Sequence, residues 1–360
     1  CVMNIAINGF GRIGRSVYRI LTSNTNHKIV AINDLSDPEA LAYLLRYDTV
    51  MGKFKGGVEF KDNFLITPSQ KVEIFQEKDP MSLPWKNKKV DIVIEATGVF
   101  RTKNQLEKHL KAGASKVVLT VPSKDEIDYT IVLGVNEEGL KKTDNIISNA
   151  SCTTNCLAPM AKVIDENFGI SKGVINTVHA YTNDQSLADV PHKDWRRSRA
   201  AAENIIPTST GAARAVGKVL PNLDGKLDGI ASRVPVPDGS VVDLFVELNK
   251  NTSVEEVNEV VYKASKTDKM KNILEYSDYP IVSTDIIGNS SSGVREAPVL
   301  GVPSINIGSR QYKRSNASSI FNVDPYNYCL DEIIKSFSNK NLNTLKIFGS
   351  GDSGYKFSRI

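Results

Sequence analysis

The stretch Gly9–Gly14, reading GFGRIG, constrains the fold more than any other part of the chain. A G-x-G-x-x-G run says little alone, because glycine-rich turns are common, but its neighbours here narrow it. Met3–Asn8 alternates apolar residues as a short strand, Arg12–Leu21 has helical spacing, and Ile29–Ile32 reads as a second strand ending in Asn33-Asp34. In such a strand–turn–helix Gly9 permits the tight turn, Gly11 lets backbone approach a pyrophosphate, and Gly14 lets helix and strand pack closely. Asp34 follows about twenty residues later, where a carboxylate accepts from both ribose hydroxyls. It would repel a 2′-phosphate, which favours NAD over NADP.

Further strands are expected at Val90–Ala96 and Lys116–Val121, with a helix at Gln105–Ala112 capped by Gly113. Continuous apolar strands alternating with helices predict an α/β fold, a doubly wound parallel sheet. Thr97-Gly98 and Thr120 fall at carboxyl ends of strands, where such sheets bind ligands, so Thr120 is a candidate cofactor contact. At 360 residues there is room for about two domains. No apolar run approaches the ~20 residues that span a bilayer, and the first residues do not read as a signal peptide. Four cysteines make no disulfide framework, so a reducing, cytoplasmic setting is expected. A net charge of +4 mildly favours anionic ligands, while the dispersal of Lys and Arg among nearly as many acids argues against nucleic acid.

The second organising stretch is Ser148–Cys156, SNASCTTNC, which passes from an apolar segment into a helix-patterned run with Leu157, Met160, Val163, Ile164 and Phe168 on one face. Cys152 therefore opens a helix, with Thr153, Thr154 and Asn155 in its first turn. Unpaired N–H groups and the helix dipole favour a thiolate there, and the same N–H groups suit an oxyanion. A strand over residues 173–182 puts His179 on one face with Thr177 and Tyr181, and supplies the base that a Cys nucleophile needs. Metal binding by Cys152, Cys156 and His179 is the competing reading, but no C-x-x-C pair or further ligand cluster completes a site. A long loop follows with Lys193, Arg196, Arg197 and Arg199, then STGAA as an anion-binding turn, and Arg233 set among apolar residues as a fixed anion contact.

NGFGRIGR, IVAINDL, SNASCTTNCLAP, NTVHAYTNDQ, PTSTGAA and ASRVPVPDGSVVDL together resemble the phosphorylating glyceraldehyde-3-phosphate dehydrogenases over about residues 2–289. The resemblance implies a Rossmann NAD-binding domain at 1–150 and an α+β catalytic domain at 151–288 with a large mixed or antiparallel sheet. It implies Cys152 as nucleophile and His179 as base, and NAD held by backbone at Arg12 and Ile13 with Asp34, Lys78 and Thr120. It implies two anion sites, Thr182, Arg197 and Arg233 at one and Ser151, Thr153, Thr210 and Gly211 at the other. Glyceraldehyde 3-phosphate and inorganic phosphate are the expected partners, in a homotetramer.

Residues 288–314, with the SSSG loop, instead resemble the carboxy-terminal part of UDP-N-acetylglucosamine 2-epimerases, and imply an α/β tail over 289–360. There the loop would cradle a diphosphate and Glu296 would contact a ribose. A helix at Val294–Leu300, a strand at Ser304–Ile307 and a helix at Cys329–Phe337 are expected. The alternatives are a fused or misassembled chain with impaired dehydrogenase activity, a UDP-sugar-binding tail without epimerase activity, and a thiol-reactive interaction protein.

Overall fold

The computed structural model describes residues 2–283 and the two strands Ser304–Ile307 and Ile320–Val323. The SSSG loop, Glu296 and the helices expected at Val294–Leu300 and Cys329–Phe337 lie outside the described residues. The chain divides into two units, Cys1–Tyr279 and Pro280–Ile360.

The first unit opens with β1 (Asn4–Asn8), α1 (Arg12–Asn24), β2 (Lys28–Asn33) and α2 (Pro38–Arg46). It continues through β3 (Glu59–Lys61), β4 (Phe64–Ile66), β5 (Lys71–Phe75), β6 (Ile92–Glu95), α3 (Lys103–Lys111), β7 (Lys116–Leu119), β8 (Tyr129–Thr130) and β9 (Ile146–Ser148). These strands form one sheet in the order β3-β4-β5-β2-β1-β6-β7-β9-β8. From β5 to β8 every pairing is parallel, as the alternating strands and helices predict. The antiparallel edge, β3 with β4 and β4 with β5, is an addition the sequence reading does not contain.

Side-chain alternation splits the core between the two faces of this sheet. Ile7 and Ile32 join Phe10, Tyr18, Leu45 and Leu65 on one side. Ala6 and Ala31 face the other, where their small size admits Trp85 beside Val90 and Val93. Gly113 ends α3 at φ +110, and a Cβ there would stand 2.5 Å from that of Lys86, so the glycine expected as a cap is required by both backbone and space.

The unit continues with α4 (Cys152–Phe168), β10 (Ile170–Ala180), β11 (Ile206–Ser209), α5 (Ala212–Ala215), β12 (Leu227–Val234), β13 (Val241–Leu248) and α6 (Val254–Ser265). Four strands make a mixed sheet ordered β11-β12-β10-β13, with β10 and β12 parallel and the outer pairings antiparallel. Leu157, Ala161, Ile164 and Phe168 of α4 pack into one core with Ile175, Val216, Leu223 and Leu227. Val174, paired with Phe245 across β10 and β13, leaves an apolar face with Ile230 and Val241 exposed. In the second unit β14 (Ser304–Ile307), where a strand is expected, pairs in parallel with β15 (Ile320–Val323).

Candidate active site

Strand β9 feeds α4 through a strained turn. Ala150 stands at φ +53, a left-handed conformation that costs a non-glycine residue about 1–2 kcal/mol. Ser148 Oγ holds the turn, accepting from Ala150 N at 3.1 Å and donating to the Val121 carbonyl at 2.8 Å. Ser151 is the N-cap, its hydroxyl accepting from Thr154 N at 3.0 Å and meeting Thr154 Oγ1 at 2.7 Å. Cys152 is thus the first helical residue, as the spacing predicts. The hydroxyl of Ser151, expected at an anion site, is engaged in the cap.

Opposite the helix start, β10 and β12 run parallel with His179 beside Arg233. His179 is buried, and its Nε2 lies 3.2 Å from Cys152 Sγ. That hydrogen bond pulls the thiol below its ordinary pKa, against burial that works to raise it. Cys156, further along α4, goes the other way, its thiol pushed up by burial and then by the nearby Cys152. Arg233 Nη1 donates to the Ala180 carbonyl at 3.1 Å and reaches His179 Nδ1 at 2.7 Å. Burial, and secondarily Arg197, lower the Arg233 pKa.

The expected anion residues divide. Arg197 Nε donates to Thr208 Oγ1 at 3.0 Å, and its Nη1 donates to Asp184. Thr208 lies on β11, whose Ile206 pairs with Arg233, so both arginines serve one end of the sheet. Thr182 starts a turn just beyond β10, its carbonyl accepting from Gln185 N at 2.9 Å. Thr153 is buried in the first turn of α4. Thr210 and Gly211 come after Ser209, which pairs with Ile230 further back along β12. Thr210 Oγ1 accepts from Ala212 N at 3.2 Å, and among the described residues no hydrogen bond ties Thr210 or Gly211 to Cys152, His179 or Arg233. Asp184 escapes the sequence reading, although it sits in the quoted NTVHAYTNDQ motif. Burial works to raise its carboxyl, but bonds from Arg197 and His192 hold it below the usual range.

At the other end of the unit, the fingerprint glycines are separable by their surroundings. Gly9 stands at φ +92, and a Cβ there would meet Thr97 N at 2.5 Å. A Cβ on Gly14 would overlap the Gly9 carbonyl, whereas one on Gly11 would meet nothing within 4 Å. Helix α1 therefore begins at Arg12 and Ile13 behind an open glycine N-cap with no side-chain acceptor. Asp34 Oδ2 accepts from Phe10 N at 2.7 Å and Oδ1 from Ser36 N at 2.9 Å, leaving lone pairs for hydroxyl donors. Thr120 N and Oγ1 both donate to the Glu95 carbonyl, at 3.0 and 3.1 Å. Lys78 is exposed beyond β5. An open cradle of helix N–H donors beside a carboxylate fits a dinucleotide with free ribose hydroxyls.

Among the described residues no group of three or more His, Cys, Asp or Glu is placed to hold a metal ion, and no helix is long and apolar enough to cross a membrane.

Known proteins match the chain along most of its length. The glyceraldehyde-3-phosphate dehydrogenase of Borreliella burgdorferi is 54% identical over 298 residues, covering 81% of this chain and 88% of its own. That of Priestia megaterium is 53% identical over 296 residues, with 82% and 88% covered. The chain belongs to the glyceraldehyde 3-phosphate dehydrogenase family. The same enzyme of Geobacillus stearothermophilus is 51% identical over 296 residues. The family's NAD binding domain pattern matches residues 3–103, and its C-terminal domain pattern matches residues 151–325. The second match runs past residue 289, where the sequence reading ends its resemblance to these dehydrogenases.

Proposed function

We propose that this chain oxidises D-glyceraldehyde 3-phosphate to 1,3-bisphosphoglycerate with NAD and inorganic phosphate, through a thioester on Cys152. The observation that carries the reading is the 3.2 Å approach of Cys152 Sγ to His179 Nε2 at the start of α4. As the Cys152 sulfur adds to the aldehyde carbon, its proton passes by way of His179 to the oxyanion developing at the first N–H groups of α4, and the hemithioacetal hydroxyl forms. His179 takes the hydroxyl proton as the carbon–oxygen double bond re-forms. NAD, when bound, supplies the hydride acceptor. Gly9–Gly14, Asp34, Lys78 and Thr120 would hold it. Phosphate then attacks the thioester carbon, the carbon–sulfur bond breaks, and Cys152 leaves as thiolate. Thr182, Arg197 and Arg233 would hold one phosphate, with Ser151, Thr153, Thr210 and Gly211 at the other.

The domain division at residues 150 and 288, a homotetramer and a cytoplasmic setting belong to the same reading. The exposed apolar face around Val174 and Phe245 supports self-association, and the low cysteine count supports a reducing compartment. A UDP-sugar-binding tail over 289–360 rests on sequence alone, and titration with a UDP-sugar tests it separately.

The deciding experiment follows NADH formation by the purified chain given glyceraldehyde 3-phosphate. Turnover that needs both NAD and phosphate is expected. No turnover from a folded chain with a titratable Cys152 thiol would overturn the reading.

A further inference from the structure

Beneath the fingerprint lies a buried polar chain that the thioester chemistry does not use. Asn8, Glu95 and His109 are fully buried and Asn33 nearly so, at the carboxyl ends of β1, β6 and β2 and on α3. Its hydrogen bonds have one consistent direction. The Glu77 N–H can only donate, and Asn33 Oδ1 accepts from it at 2.8 Å. Asn33 Nδ2 therefore donates, to the Glu77 carbonyl at 3.0 Å and to Asn8 Oδ1 at 2.7 Å. That fixes the Asn8 amide, whose Nδ2 donates to Glu95 Oε2 at 2.5 Å.

A second branch arrives from the other side. The Trp85 indole can only donate, so His109 Nδ1 accepts from it at 3.0 Å, and the ring proton sits on Nε2. Nε2 donates to Glu95 Oε2 at 3.0 Å. Glu95 Oε1 accepts from Thr97 N at 2.9 Å and from the Thr97 hydroxyl. One buried carboxylate thus receives four donors, and no neighbour in this set accepts from it. A neutral amide of the same shape has one accepting oxygen and would turn two N–H groups toward donors.

We propose that Glu95 is a positioning residue for the cofactor: the endpoint of the chain Glu77–Asn33–Asn8–Glu95–Thr97, it holds the two segments that flank the dinucleotide. At one end Asn33 grips both backbone polar groups of Glu77, next to Lys78. At the other, Thr97 N is the atom that a Cβ on Gly9 would strike at 2.5 Å, so the 97–99 turn packs directly onto the first fingerprint glycine. Val99 N donates to Thr97 Oγ1 at 3.1 Å, which extends the hold across that turn. The proposal rests on the reading of Gly9–Gly14 as an NAD site and adds the group that sets the spacing of its walls.

The test measures NAD affinity, the kcat and KM for NAD, and thermal melting of the full chain for Glu95→Gln, Asn33→Ala and the double variant. Glu95→Gln is expected to weaken NAD by about tenfold to a hundredfold, the usual effect of losing hydrogen bonds to a charged group. KM for NAD should rise in step, kcat should fall much less, and Cys152 should alkylate at the unsubstituted rate. Because both residues act through one chain, the double variant should lose less than the product of the single losses. Unmoved NAD affinity in a cooperatively melting Glu95→Gln chain overturns the proposal. If that variant does not melt cooperatively, Asn33→Ala carries the same expectation and the same overturning result. An unsubstituted chain that binds no NAD would bring down the parent reading together with this one.

Discussion

Arg233 shares Nδ1 of His179 with the Ala180 carbonyl. A guanidinium only donates and a carbonyl only accepts, so Nδ1, 2.7 Å from Arg233 Nη1 and 2.6 Å from the Ala180 oxygen, serves one of them at a time, while Nε2 faces Cys152 Sγ. With Nδ1 donating to the Ala180 carbonyl, Nε2 is free to act as the base toward the sulfur, and the adjacent register of β10 and β12 brings Arg233 to the same nitrogen. In the proposed reaction Arg233 would turn to the substrate phosphate and leave Nδ1 to the Ala180 carbonyl.

Replacing Arg233 with Leu should therefore act on the phosphorylated substrate above all. The KM for glyceraldehyde 3-phosphate should rise by about tenfold to a hundredfold, the worth of a charge-assisted hydrogen bond. Unphosphorylated glyceraldehyde should be far less affected. Steady-state kinetics with the two aldehydes side by side give the comparison, and equal losses on both would contradict it.

The two cysteines of α4 should separate by pH. The Cys152 thiol is lowered by its His179 hydrogen bond and the Cys156 thiol is raised by burial, so Cys152 is a thiolate at pH values where Cys156 is not. Alkylation near neutral pH, read by mass spectrometry, should label Cys152 first. His179→Ala should move Cys152 labelling to higher pH and slow turnover by about 10²–10⁴-fold. Cys152→Ser should abolish oxidation, while Cys156→Ser should leave most of it.

Two fingerprint glycines should fail in different ways. Gly14→Ala collides with the Gly9 carbonyl and should destabilise the fold by about 1–3 kcal/mol, as overpacking does. Gly11 has φ −68 and empty space beside it, so Gly11→Ala should melt like the unsubstituted chain yet bind NAD more weakly. Melting and NAD titration of the pair distinguish the two effects.

Asp34→Ser should weaken NAD and relax discrimination against NADP, since it removes both the acceptor for ribose hydroxyls and the charge that repels a 2′-phosphate. Binding of both nucleotides to both chains measures this, and a preference for NADP in the unsubstituted chain would refute it.

If copies associate through the apolar face around Val174 and Phe245, as proposed, Phe245→Glu should break the association. Phe245 pairs with Val174 on the exposed face of the mixed sheet, and a carboxylate there would be desolvated in any contact between copies. Light scattering should report a smaller species with an unchanged far-ultraviolet spectrum.

What the sequence makes legible here is local. The fingerprint glycines and the cysteine turn announce themselves because each works through neighbours a few residues away. β3 and β4 hold three residues each, too few for a period to emerge, so the antiparallel edge is invisible until strands pair. Asp184 tethers Arg197 across a loop with no repeating pattern. Asn8 and Glu95 read as ordinary strand residues, and their bond joins positions 87 apart. Ser151 illustrates a further limit: its place beside Cys152 is plain from sequence, but its commitment to Thr154 is a matter of hydroxyl geometry.

Strand β1 sits between β2 and β6, and this order has a consequence for synthesis. Its first neighbour is made almost at once, but the second, Ile92–Glu95, emerges only after the whole intervening segment. At about 5–20 residues per second the nascent chain carries one bare edge of its innermost strand for on the order of ten seconds. That edge, Ile5, Ala6 and Ile7, is apolar on both faces and open to any other growing chain nearby. The interval on the ribosome before residue 92 is therefore when this protein is most exposed to mispairing, and where a chaperone has most to protect.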